Sequence, residues 1–291
     1  MRPAHVPIRA VSLILASVFC FALLDTTTKY TARLYPVPVL VWSRYAVQLV
    51  AMLIWLGPSM GYGLVRTRRP RMQLMRGGLL LLSSIFFTSA LRFLPLADAT
   101  AVVFCTPVVV VLLAMLFLHE RLTPARSAFV VAGITGMLLI VRPGLGVFHG
   151  GSLFALGSAS SFAVYQILTR VLAGENPRVM LFYPVMTGAV VMSLLSPTFD
   201  WPAHMPWQHV GLIVLGALLG TLGHFLFILA FRHAQASALT PFTYMQLVWA
   251  TLFGWVVYGH WPGALTWAGM AIIACSGLAI ALHERRRAQI A

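Results

Sequence analysis

Asp25 and Lys29 lie four positions apart in the first apolar run of the chain, and Lys29 is its only lysine. Four residues make about one helical turn, so the carboxylate and the ammonium share a helix face with the acid nearer the N-terminus, the favourable order. Each charge costs about 2.5 to 3.5 kcal/mol at the centre of a membrane-spanning helix, so the two must be paired, lie at an interface or face a wet cavity. Two readings follow: a structural ion pair near the outer end of the run, or a site for a substrate or a proton. Arg44, in the second run, is the arginine placed deepest by sequence. It either neutralises Asp25 across the hairpin or attracts a substrate carboxylate.

Ser158, Ser161, Tyr165 and Thr169 recur at three- and four-residue steps, with Phe162 and Gln166 among them. Such a stripe of hydroxyls either holds helices together or walls a cavity. Gly216, Gly220 and Gly223 permit close helix packing. His224 follows them, a titratable ring that is either functional or satisfied within the core. Thr240, Pro241, Phe242, Thr243, Tyr244, Gln246 and Trp249 mix aromatic faces with hydrogen-bonding groups, as do Phe86, Thr88, Thr100, Phe104, Thr106 and Pro107. That mixture suits a mostly apolar small-ligand pocket with a few polar anchors, or ordinary bundle core. The candidate lining of a substrate cavity is therefore Asp25, Arg44, Phe86, Thr88, Thr106, Ser158, Phe162, Tyr165, Gln166, His224, Tyr244, Gln246 and Trp249.

Other chemistry has no support. There is no P-loop, no H-E-x-x-H and no G-x-S-x-G, and His119-Glu120 lacks the second histidine of a zinc helix. Gly144 and Gly146 sit in a turn with no preceding strand. Cys20, Cys105 and Cys275 lie in apolar segments without metal-ligand spacing and read as packed thiols. No cofactor, metal or catalytic residue is expected, nor is ATP-driven pumping by this chain alone.

The elements that must position these residues follow from composition. Of 291 residues, 60% are hydrophobic and 9% charged, against roughly 25% charged in an ordinary soluble domain. The net charge of +14 does not mark a nucleic-acid face, because the arginines fall in the gaps between apolar runs. Those runs lie near 9–29, 38–56, 75–93, 98–118, 125–142, 151–172, 178–196, 208–231, 237–258 and 263–283, close to the 20 or so residues a bilayer span needs. Gly57-Pro58, Pro95, Pro124, Pro143, Pro177, Pro197, Pro206 and Pro262 stand at or just outside their ends. Arg2 and Arg9 ahead of the first run resemble a signal peptide, but no A-x-A site follows and further spans do, so the run is kept as a span. With the N-terminus inside, most basic residues, among them Arg66, Arg68, Arg69, Arg71, Arg76, Arg170, Arg178, Arg232 and Arg285 to Arg287, fall on the inner side. Lys29, Arg33, Arg92 and Arg142 fall outside, so both termini are cytoplasmic by the positive-inside rule.

Sliding the chain against itself by about 140 residues sets Ser17, Phe21, Ala22, Thr28 and Lys29 on Ser158, Phe162, Ala163, Thr169 and Arg170, and Ala90 and Arg92 on Ala230 and Arg232. Five spans per copy is odd, so the second copy must cross the membrane in the opposite sense. The expected fold is all-α with ten transmembrane helices in two inverted repeats, residues 1–146 and 147–291, an arrangement by which secondary transporters obtain two faces around a central site.

The segment Phe93-Leu94-Pro95-Leu96-Ala97-Asp98-Ala99-Thr100, followed by Pro107 and His119-Glu120-Arg121-Leu122-Thr123 and joined with Asp25 and Lys29, resembles the ten-span EamA-type branch of the drug/metabolite transporter superfamily over essentially the whole chain. The resemblance implies a basket-like bundle in which spans one, three, four, six, eight and nine surround a cavity and five and ten lie peripherally. It implies a bacterial inner-membrane location, and it is strongest to exporters of amino acids, including aromatic ones. Gly259-His260-Trp261 replaces the acidic residue expected after the ninth span, so Glu120 reads as a loop anchor. The expected function is secondary export of neutral or aromatic amino acids and related metabolites by alternating access. Import of a vitamin or an S-adenosylmethionine-like cofactor is the alternative, with a membrane-embedded enzyme or a channel behind it. Expected partners are the small substrate and the lipid bilayer, with no nucleic acid; the sequence leaves the oligomeric state open, a monomer included.

Overall fold

The computed structural model describes residues 7–106, 109, 124–141, 150–172, 174–233, 239 and 242–290. Among them the chain forms ten α-helices: α1 (Ile8–Ala32), α2 (Val37–Met60), α3 (Pro70–Phe93), α4 (Leu96–Val103), α5 (Pro124–Val141), α6 (Gly150–Val171), α7 (Pro177–Leu195), α8 (Trp207–His233), α9 (Met245–Tyr258) and α10 (Ala264–Ile290). The described residues contain no strand. Six helical stretches, Ile8–Ala32, Val37–Val65, Pro70–Phe93, Gly150–Thr169, Pro177–Thr198 and Trp207–Phe227, are long and apolar enough to cross a membrane. Val131–Val141, Met245–Tyr258 and Ala264–Ser276 are shorter apolar helices. Outside the described residues lie Pro107, His119 to Thr123, Arg142, Gly144, Gly146, Thr240 and Pro241, and with them the reading of Glu120 as a loop anchor.

Local chemistry explains the helix ends. Prolines occupy the first positions of α2, α3 and α7, where a missing N–H costs nothing. Asn176 caps α7 by accepting the Arg178 N–H at 2.9 Å. α9 ends at Gly259, whose φ of 67° needs a residue without a Cβ. Expected boundaries move at several ends: α3 begins at Pro70 and not near 75, α10 runs on to Ile290 past 283, and α2 runs through Gly57-Pro58 to Met60. Pro58 sits in the last turn, where the strain of a helical proline is confined to an end already losing its hydrogen bonds.

The helices group into two compact units, and neither coincides with a half of the sequence. Thr27–Leu94 and His149–Leu218 form one, which holds α2, α3, α6 and α7, the last turn of α1 and the first turns of α8. α3 and α6 are its most extensively packed pair. Gly157 lets them approach: a Cβ there would fall 2.8 Å from the Phe86 ring. Gly188 does the same between α7 and α2, where a Cβ would meet the Tyr45 ring at 2.5 Å. Tyr45, Met52, Leu56, Leu81, Phe182 and Met192 form the apolar core.

The other unit comprises Met1–Thr26, Pro95–Phe148 and Leu219–Ala291. In it α1 packs on α8 at Gly223, where a Cβ would lie 2.7 Å from Phe21, and the Ser17 hydroxyl donates to the Gly223 carbonyl at 2.8 Å. α5 and α10 pack through Gly136 and Gly269, each backbone lying against the other. Large apolar residues such as Ile54, Leu194 and Val256 remain exposed, as expected of helices whose outer faces meet lipid. Cys20 and Cys105 are buried as expected, but Cys275 is exposed on α10. An apolar run marks a thiol as lipid-compatible and leaves open which face of the helix it takes.

Candidate functional site

In the unit containing most of α1, Asp25 is 7% exposed, and the Gln246 side-chain amide donates to its Oδ2 at 3.0 Å. An acid and an amide from opposite ends of the sequence thus meet, α1 against α9. One turn before Asp25, Phe21 lies edge-on to His224 with 4.8 Å between ring centres. Two residues before Gln246, Tyr244 lies over Phe104 at 5.3 Å, and Trp249 meets Phe19 at 4.9 Å. The Tyr258 hydroxyl donates to the Thr26 carbonyl at 2.5 Å. Thr106 is buried, with its hydroxyl turned back to the Val103 carbonyl at 2.6 Å. Chemically this is a carboxylate among aromatic rings, suited to a cationic or amine group beside a flat apolar one.

The remaining candidates, Arg44, Phe86, Thr88, Ser158, Phe162, Tyr165 and Gln166, belong to the other unit. Ser158 pairs with Ser83 across α3 and α6 at 3.0 Å. Phe162 stacks on Tyr165 with centroids 5.5 Å apart, and Phe86 packs on Phe154. Thr88 is buried and its hydroxyl has no partner. Gln166 is half-buried on α6. Lys29 is 2% exposed and donates to the Leu91 and Leu94 carbonyls at 3.0 and 2.5 Å. A cation there caps the negative end of α3, a structural duty beyond pairing with an acid.

Arg44 is half-buried, with its guanidinium 5.5 Å from the Tyr45 ring centre. Among the described residues the arginine in the buried core is Arg76, 1% exposed and counted by sequence among the inner-surface charges. It donates to Thr169 Oγ1 at 3.2 Å, to Tyr165 Oη at 3.5 Å and to the Met180 carbonyl, and lies 5.2 Å from the Tyr165 ring centre. Half of the hydroxyl stripe on α6 thus receives a guanidinium. The only signal in the sequence was that stripe ending near the level of Arg76.

Among the described residues no three His, Cys, Asp or Glu side chains are grouped to hold a metal ion. A cavity of about 190 Å³ in the α1-containing unit is lined by Pro95, Asp98, Ile140, His260, Trp261 and Thr266, among others, and by none of the candidate residues.

Residues 8–142 and 149–282 each match the EamA-like transporter family. The chain is 28% identical to the riboflavin transporter of Rhizobium johnstonii, over 99% of this chain and 95% of that one. It is 26% identical to an S-adenosylmethionine uptake transporter of Rickettsia bellii, over 90% and 89% of the two chains, and 26% identical to a pseudopaline exporter of Pseudomonas aeruginosa, over 91% and 93%. A solved crystal structure at 22% identity shares the fold, with a TM-score of 0.60 over 93% of this chain and 98% of that one.

Proposed function

Since the chain belongs to the EamA-like transporter family and is a multi-pass membrane transporter, we propose that it is a secondary carrier of ten spans working by alternating access between two inverted halves, residues 1–146 and 147–291. Contacts related by the repeat support this. The interval of about 140 residues carries Ser17 to Ser158 and Gly223 back to Ser83, and both pairs are bonded: Ser17 donates to the Gly223 carbonyl, while in the second pair Ser83 donates to the Ser158 carbonyl. The same interval carries Phe104 to Tyr244, and those two rings pack on each other, as residues beside a two-fold axis must. The carrier sits in a bacterial inner membrane with both termini inside.

The observation that carries the substrate reading is the Asp25–Gln246 pair beside Phe21, Phe104 and Tyr244. A carboxylate with flat apolar neighbours suits the ammonium and ring of a neutral or aromatic amino acid, exported down its gradient. A second reading, uptake of a vitamin or an S-adenosylmethionine-like cofactor, draws on the names of the relatives and on the same chemistry, since both offer flat rings. Counterflow in proteoliposomes holding purified protein separates them. Exchange of labelled for unlabelled phenylalanine is the expected result. Exchange of riboflavin or S-adenosylmethionine alone selects the second reading, and exchange of none of the three refutes both.

A further inference from the structure

Arg76 and Gln73 lie three residues apart on one face of α3, within its first two turns, and are 1% and 0% exposed. Neither is satisfied. The Nε of Arg76 has no hydrogen-bond partner, and neither do the amide nitrogen and oxygen of Gln73. No carboxylate pairs with Arg76 among the described residues. Glu175, the acid in the connection from α6 to α7, is already held by the Thr67 hydroxyl at 2.9 Å and the Arg68 N–H at 3.3 Å. A buried cation without an anion is costly, and its default meaning inside a membrane bundle is a functional site. The positive end of α3 adds to its attraction for an anion.

We propose that Arg76 and Gln73 form a recognition site for one carboxylate of the transported molecule, distinct from Asp25. The inference rests on the carrier reading, because the site is enclosed by α3, α6 and α7 and is reached only as that helix end opens during transport. The Nε–H of Arg76 and the amide N–H of Gln73 are the donors left over once Tyr165, Thr169 and the Met180 carbonyl have taken the terminal nitrogens. One guanidinium and one amide match a single negative charge. A phosphate dianion needs more cations, and a lipid phosphodiester brings two substituents that an enclosed site does not admit.

The test compares phenylalanine with phenylalaninamide, which lacks the carboxylate, in counterflow and in thermal stabilisation of the full chain in detergent, for wild type, Arg76→Lys and Gln73→Leu. The wild type should favour the acid, and each variant should lose about tenfold or more of that preference, the scale of one hydrogen bond to a charged group. Gln73→Leu should at the same time melt higher than wild type without ligand, since an orphaned amide has been removed. That combination distinguishes a binding role from a packing one even where Arg76→Lys folds poorly. Equal use of acid and amide by wild type, or an acid preference retained in Gln73→Leu, overturns the site while leaving the carrier intact. If wild type exchanges neither compound, the transport reading has failed and the site is judged on thermal stabilisation: acid-selective stabilisation lost in both variants sustains it, and its absence in wild type overturns it. Displacement of the acid's effect by anionic lipid would assign the site to a headgroup and overturn it as well.

Discussion

Replacing Gly136 by alanine should destabilise the protein, although alanine is the better helix former. A Cβ at position 136 falls 2.8 Å from the Gly269 carbonyl oxygen and 2.9 Å from Ile273 Cγ1. Carbon to carbonyl-oxygen contacts settle at roughly 3.3 to 3.6 Å, so α5 and α10 must part by about half an ångström or more. The oxygen is backbone and cannot swing aside. Overpacking of this kind costs about 1 to 3 kcal/mol, and the helix-propensity gain of about 0.5 to 1 kcal/mol offsets part of it. The net expectation is a loss of up to about 2.5 kcal/mol, centred on about 1 kcal/mol, read by unfolding in detergent micelles. Gly78→Ala is the control: nothing lies within 4 Å of a Cβ there, so propensity alone should raise stability by about 0.5 to 1 kcal/mol. Gly269→Ala meets the Gly136 carbonyl at 2.6 Å, and the double variant should lose less than the sum, because one separation relieves both clashes. A Gly136→Ala protein as stable as the wild type, with Gly78→Ala behaving as expected, would refute the close approach of α5 and α10.

Three further outcomes follow from the same geometry. Asp25→Asn keeps an acceptor for Gln246 but removes the charge, so counterflow of a zwitterion should fall about tenfold or more while folding persists; unchanged counterflow would remove Asp25 from the site. Asn176→Ala should cost about 1 kcal/mol through the lost cap on α7, measured by unfolding in micelles, and no loss would mean the cap is replaced by solvent. Cys275 should react faster than Cys20 and Cys105 with N-ethylmaleimide, an apolar reagent that partitions into the micelle and reaches an outward-facing thiol before a packed one, and mass spectrometry of the labelled chain settles which thiols were modified.

Much of the scaffold was legible because its signals are local. Proline just before α4 and α8, and at the first position of α7, marks ends that the structure keeps. Pro58 misled because a breaker in a final turn costs too little to end a helix. Asp25 and Gln246 each stood out as polar groups in apolar runs, but that one serves the other depends on how α1 meets α9, which no local pattern encodes. Arg76 was missed for the same reason: near a cluster of arginines it reads as one more interfacial charge, and only Tyr165, Thr169 and Met180, from two distant helices, draw it inside. The mixing of both sequence halves in each compact unit is likewise a property of packing between helices.

The inverted repeat is tested most directly by labelling equivalent positions from one side of the membrane. Arg68 and Gln208 are exposed and are related by the repeat interval of about 140 residues. With Cys275 replaced by serine, a membrane-impermeant maleimide applied to intact cells should label Gln208→Cys and spare Arg68→Cys until the membrane is opened. Labelling of both from the same side would contradict two halves of opposite orientation.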